Sequence, residues 1–282
     1  MSLFQNYRCT IESRKETQPD LADGGTDMEF TMQQKANTPK KSLAKIRFPG
    51  KEKTIPYFND RFNLQLGDLV YVEGEMAGQI GRVEELNYHF KIKLSDYWRV
   101  IAVVKTDVHG EFHMAGSHFV TFDPAALPKE QAVTWFKAPM DQDDEDTVFS
   151  CDEEAHFPLD DLSKMKITQV IAERGHKYYL ENRVRYICLD RGHGFAIVEG
   201  SENYTVDFIY RDGEISALLC DCPCAFNCKH EFAAMLQLKE TLELIEKHYA
   251  EEYARSGYFA AVCKGTLFRF AIDGKENGSF VL

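Results

Sequence analysis

Two successive patterns predict an α+β chain built on antiparallel sheets. From about Ile46 to Asp123, apolar side chains recur at every second position, in runs interrupted by clusters of Gly, Asn, Asp and Ser. From Met165 onward the spacing becomes helical, then strand-like through four short runs, then helical again over a longer stretch. Alternation at period two marks strands with one buried face, and recurrence at three and four marks amphipathic helices.

Residues 1–41 are polar and poorly patterned and read as a flexible arm. Residues 42–140 read as a small antiparallel barrel. Val70 and Val72 share one face, followed by Phe90, Ile92 and Leu94, then Val100 to Val104, then Phe119 and Phe122. Trp98 and the other aromatics are expected to fill it. Leu127 to Phe136 reads as one helix with Pro128 in its first turn, where the missing N–H costs nothing, and Pro139 ends it. The segment Leu66-Gly67-Asp68-Leu-Val70-Tyr-Val72-Glu-Gly74, continuing to Gly78, Gly81 and Val83, resembles the KOW segment of SH3-like barrels. That likeness implies a tight hairpin and, in function, RNA or protein binding.

Between Asp141 and Asp161 lie ten acidic residues and no basic one, which reads as a solvated linker at a domain boundary. The stretch accounts for most of the net charge of −12. Lys40–Met140 carries 14 basic and 12 acidic residues, and Leu162–Leu282 carries 15 and 17. Neither shows the positive excess of a high-affinity nucleic-acid binder, though a local basic stripe stays open.

Residues 162–282 form the second expected domain. Met165 to Tyr179 is helical, with Ile167, Val170, Ile171 and Tyr178 as its stripe and Gly175 weakening its last turn. Strands are expected at Val184–Leu189, Gly194–Glu199, Tyr204–Tyr210 and Glu214–Leu219, with Asp212-Gly213 as the hairpin turn. A long helix then carries Phe232, Met235, Leu236, Leu242, Ile245, Tyr249 and Tyr253 on one face and stops at Gly257. The tail has strand-like runs at Thr266–Ile272 and Ser279–Leu282. The second run implies a terminal strand or a continuation into a longer protein.

Between the last of the four strands and that helix lies Cys220-Asp-Cys222-Pro-Cys224-Ala-Phe-Asn-Cys228-Lys-His230, with four of the eight cysteines and a histidine. Thiolate sulfur and imidazole nitrogen are the donors of a tetrahedral structural Zn2+ site. Cys220/Cys222 and Cys228/His230 are pairs that can face each other across one ion. Cys224 is either a spare thiol or a replacement for Cys220. A disulfide framework is disfavoured, because cysteines two apart pair only under strain. Buried inert thiols are the plain alternative. Four protein ligands close the coordination shell, so the ion would be structural.

The pattern Cys-x-Cys-x5-Cys-x-His resembles the SWIM zinc finger. Upstream, Arg174-Gly175-His-Lys-Tyr178-Tyr179, Val184, and Val198-Glu-Gly200-Ser201-Glu-Asn-Tyr204-Thr-Val206 are similar to the lead-in of its bacterial members. The likeness covers residues 162 to 250 and implies zinc and a sheet, zinc loop, helix arrangement. It leaves the partner open between DNA and protein.

Enzyme signatures are missing: no phosphate loop, no Gly-x-Ser-x-Gly elbow, no His-Glu-x-x-His. The expected function is therefore a non-enzymatic zinc-binding module that contacts nucleic acid, protein or both. Lys229, Arg183, Arg185 and Arg211 are the candidate contacts. The alternatives are a protein–protein adaptor without nucleic-acid contact, or the front end of a larger remodelling helicase. No small-molecule substrate is evident. His109, His113 and His118 read as polar loop histidines, with a second metal site as the sharper alternative. With no apolar run long enough to span a bilayer and no signal-peptide pattern, the expected location is cytoplasmic.

Overall fold

Strict alternation of buried and exposed side chains builds the first sheet. In β1 (Ser42–Arg47), Ala44 and Ile46 are fully buried, while Lys45 between them points outward to Glu85 at 2.8 Å. β2 (Ile55–Asn59), β3 (Leu69–Val72), β4 (Gly81–Asn87) and β5 (Val100–Val104) complete an antiparallel sheet in the order β2-β1-β4-β3-β5. Ile46, Phe48, Tyr57, Val70 and Val83 form its core. A Cβ at Gly81 would lie 2.3 Å from the Ile46 side chain, so glycine is required where β4 crosses β1. These strands form no closed barrel: the edges meet at a single bridge, where the Phe58 N–H donates to the Trp98 carbonyl at 2.9 Å. The sequence places Trp98 in the core, but it is 60 % exposed, its indole lying flat against the backbone of Gly74. Phe90 sits in irregular backbone, and Ile92 and Leu94 fall outside the described residues.

The computed structural model describes residues 39–90, 97–139, 150–151, 156–224, 226–272 and 279–281, all within one unit, Pro39–Leu282. After the first sheet come β6 (His109–Glu111), β7 (His113–Ala115), β8 (His118–Thr121) and α1 (Lys129–Thr134). β9 (Ser150–Cys151), β10 (Phe157–Pro158), α2 (Gln169–Leu180), β11 (Val184–Asp190) and β12 (His193–Glu199) follow. β13 (Asn203–Arg211), β14 (Glu214–Cys220), α3 (Lys229–His248), α4 (Ala250–Ser256), β15 (Tyr258–Cys263), α5 (Lys264–Leu267) and β16 (Ser279–Val281) close the chain's described order.

A nine-stranded antiparallel sheet runs β10-β14-β13-β12-β11-β15-β8-β7, with β9 also on β14. β7 and β8 belong to the stretch 42–140, so this sheet crosses the boundary the sequence suggests. The end of the acidic run is also part of it: Phe157 in β10 is buried against β14. Both faces are covered, which is why β11 and β12 read as nearly unbroken apolar runs. Ile187, Leu189 and Val198 face α3, whereas Tyr186, Cys188 and Ile197 face α1 and the 267–271 segment.

Met235 and Ile245 of the long-helix stripe are in the core, with Phe232, Leu242, Tyr249 and Tyr253 packed against it, but the helices differ from expectation elsewhere. In α2 Val170 is 54 % exposed, and the buried residue is Gly175. A Cβ there would sit 2.9 Å from the Lys229 carbonyl and from Phe232, so Gly175 is the crossing point of α2 on α3. The long helix expected up to Gly257 is two, broken at Tyr249. The expected strand at Thr266–Ile272 is helical, and the strand lies just before it, at β15. Tyr258–Cys263 is buried at every position, so it offers no alternation to read.

Candidate metal centre

Strand and helix deliver the four donors from opposite sides. β14 ends at Cys220, paired with Val206 of β13. The next residue, Asp221, accepts hydrogen bonds from the Thr205 N–H at 2.8 Å and the Thr205 hydroxyl at 2.7 Å, and it also pairs with Lys137. That clamp sets the turn leading to Cys222. On the other side Cys228 caps α3: its N–H donates to the buried Glu231 carboxylate at 2.7 Å. This reciprocal arrangement at the helix start satisfies donors that the helix cannot. His230 then projects from the first turn of α3.

The ligand atoms of Cys220, Cys222, Cys228 and His230 all lie within 4.8 Å of one another. His230 Nδ1 stands 3.7 Å from Cys228 Sγ and 3.9 Å from Cys220 Sγ. All four residues are between 0 and 3 % exposed. A tetrahedral ion with metal–sulfur bonds of about 2.3 Å spaces its ligands about 3.8 Å apart, which this cluster matches. The Cys3His group could hold a metal ion. Crowding polarises the thiols: hydrogen bonds from Cys220 and then Cys228 pull the Cys222 pKa down, and the bond to Cys222 pushes that of Cys220 up. A bound cation would require all three thiols to ionise.

Aromatic rings and a close glycine hold the imidazole. Tyr204 stacks on His230 at 4.3 Å and Tyr178 approaches at 5.6 Å. A Cβ at Gly200 would lie 3.0 Å from His230 Nε2 and 2.8 Å from the Tyr204 ring, so the β12–β13 turn closes directly on the histidine. Gly200 and Tyr204 belong to the SWIM-like lead-in. Ligand spacing alone does not point to Asp221 and Glu231, although a Glu three residues after a helix-capping position is a readable signal.

Cys224 is exposed and stays outside the cluster. The four basic candidates do not share one patch. Lys229 and Arg183 converge on the Tyr178 ring, at 4.7 and 4.8 Å. Arg185 is taken up by Glu199 at 2.9 Å, and its guanidinium reaches Cys263. Arg211 stands opposite Glu214 in the strand register, at the far end of the β13–β14 hairpin from Cys220. The three histidines are in strands rather than loops: His109 in β6, His113 in β7, His118 in β8. His118 is fully buried, its ring bonded to the Val184 carbonyl at 2.7 Å and to Ser117 at 2.9 Å. Burial lowers its pKa to about 4. Among the described residues the Cys/His group is the one with metal-binding geometry. No helix among them is long and apolar enough to cross a membrane. Comparison with protein-family models, with curated proteins and with solved structures finds no match.

Proposed function

We propose that the chain is a non-enzymatic interaction module of the SWIM zinc-finger type. Zn2+ held by Cys220, Cys222, Cys228 and His230 ties the end of β14 to the start of α3. The observation that carries this reading is the buried Cys3His group at the junction of strand and helix, its imidazole stacked on Tyr204. When bound, the ion supplies structural cross-linking: it neutralises thiolates and joins two elements that a loop alone would leave separable. The chain's own residues shape the surface around it.

That surface favours nucleic acid as the partner. Phe226, between two ligands, is 81 % exposed, and Lys229 and Arg183 both lie over the Tyr178 ring, which itself approaches His230. An exposed ring can stack on a base while the cations meet phosphate. The second reading, a protein partner, is favoured by the near balance of basic and acidic residues in Leu162–Leu282 and by the same exposed ring.

Metal analysis of the purified protein tests the first part, with about one zinc per chain expected for a single four-ligand site. Binding to single- and double-stranded DNA and RNA probes tests the second. Affinity should fall steeply as salt rises and drop again in Lys229→Ala and Arg183→Ala. If no probe shifts at low salt, the nucleic-acid reading fails and the protein reading replaces it.

A further inference from the structure

A cleft of about 440 Å³ opens between the first sheet and the turn joining β12 to β13. Tyr71 and Ile80 line one side, Gly200 and Asn203 the other, with Trp135 and Arg269 also in the wall. Its size falls within the range of about 300–1,000 Å³ typical of small-ligand sites.

The chemistry of the wall selects a ligand class. The Arg269 guanidinium lies 5.3 Å over the Phe270 ring, which itself stacks on Trp135 at 4.8 Å. The cation is thus held on an aromatic pair. No ion pair ties Arg269 to an acidic residue among the described residues, whereas Glu199 in the same wall is neutralised by Arg185 at 2.9 Å. The remaining acid of the wall, Glu202, is exposed to solvent. Tyr71 is 1 % exposed; burial pushes its phenol pKa up and the nearby Arg269 pulls against it, so it stays a hydrogen-bond donor.

The cleft also adjoins the metal centre. Gly200 lines it and at the same time backs onto His230 Nε2 and the Tyr204 ring.

We propose that this cleft binds a small aromatic anion, a carboxylate or phosphate carried on a flat ring. Arg269 pairs with the charge, Tyr71 donates to it, and the ring lies against Ile80 and Phe136. The metal centre props the opposite wall; this last element alone rests on the zinc reading above.

The test is a titration of the full, metal-loaded chain with phenyl phosphate, benzoate, inorganic phosphate and benzamidine, following the backbone amides of Gly78, Ile80 and Gly200 by NMR. Saturable shifts with phenyl phosphate or benzoate are expected, and which of them binds assigns the phosphate or carboxylate source. Inorganic phosphate should bind more weakly, and benzamidine, of the same shape but opposite charge, should leave these amides unmoved. Arg269→Gln should weaken the anion about tenfold or more, and Tyr71→Phe, which keeps the ring packed, by a smaller factor. Equal saturation by benzamidine, unchanged binding in Arg269→Gln, or no shift with either aromatic anion at tens of millimolar overturns the site. Chelating the metal should weaken the anion about tenfold. Binding that survives chelation keeps the cleft and overturns the prop, while metal content, measured separately, reports on the zinc reading itself.

Discussion

Two strand-ending turns in this chain are stabilised by opposite means. After β3 the chain makes a helical turn whose backbone bonds close on themselves, Ala77 N–H to the Gly74 carbonyl at 3.0 Å and Gln79 N–H to Met76 at 3.1 Å, with Trp98 laid over Gly74. After β14 the described residues 221–224 and 226–227 form neither helix nor strand, yet Cys222, Asn227 and Cys228 are buried. The first turn satisfies its own donors and needs nothing further. The second buries thiols and an imidazole whose best partner is a cation, with Asp221 and Glu231 fixing the backbone on either side. A polar loop can be buried when its side chains converge on one ion.

The largest expected effect separates these two corners directly. Chelation, or Cys228→Ser, should strip amide-exchange protection from β14 and the first turns of α3 while leaving β1 to β4 protected. Structural zinc contributes on the order of 10 kcal/mol in small domains, and the apolar sheet beneath α3 should retain part of the fold. Uniform loss across both sheets would show that the corners do not differ.

Gly175→Val probes the helix contact that carries the metal corner. The new side chain would meet the Lys229 carbonyl and Phe232, 2.9 Å from its Cβ. A loss of about 3 kcal/mol in chemical denaturation is expected, with lowered zinc affinity, because α2 presses on the residue next to His230. Unchanged stability would refute the crossing.

A loss of similar size should appear with pH. His118, normally titrating near 6.5, has its pKa lowered to about 4 by burial. The unfolded chain therefore takes up a proton that the folded chain refuses. This contribution is full above about pH 6.5, falls as pH drops through the window, and is exhausted near pH 4, a loss of about 3 kcal/mol. Acid also releases metal from thiolates, but that loss is common to wild type and His118→Gln. The difference between their stability–pH curves isolates the histidine, and parallel curves would contradict its burial.

The smallest effect is expected at Cys224→Ser. An exposed thiol outside the cluster should be replaceable with no change in zinc stoichiometry. A drop in metal content would place Cys224 among the ligands.

Legibility followed local pattern. The four strands from Val184 to Leu219 are legible because their apolar runs are short and bounded by turn residues, and Asp212-Gly213 supplies residues suited to positive φ, here 50° and 86°. The donor set was readable because thiols and imidazole at one-residue spacing have few other uses. β15 escapes the sequence pattern, because a strand buried on both faces loses its period. Trp98 was misplaced because hydrophobicity alone does not say whether an indole enters a core or lies across a glycine.

By itself, the sequence determined the strand-and-turn order from Val184 to Leu219 and a five-residue Cys/His donor set, with Cys224 left open, since both are written in residues close together along the chain. Only the tertiary structure decided that β8 joins β15 across the expected domain boundary, that Gly175 marks a helix crossing, and that Arg269 stands in a cleft beside Tyr71. Those are meetings of residues far apart in the chain, chosen by packing and burial rather than by any local preference.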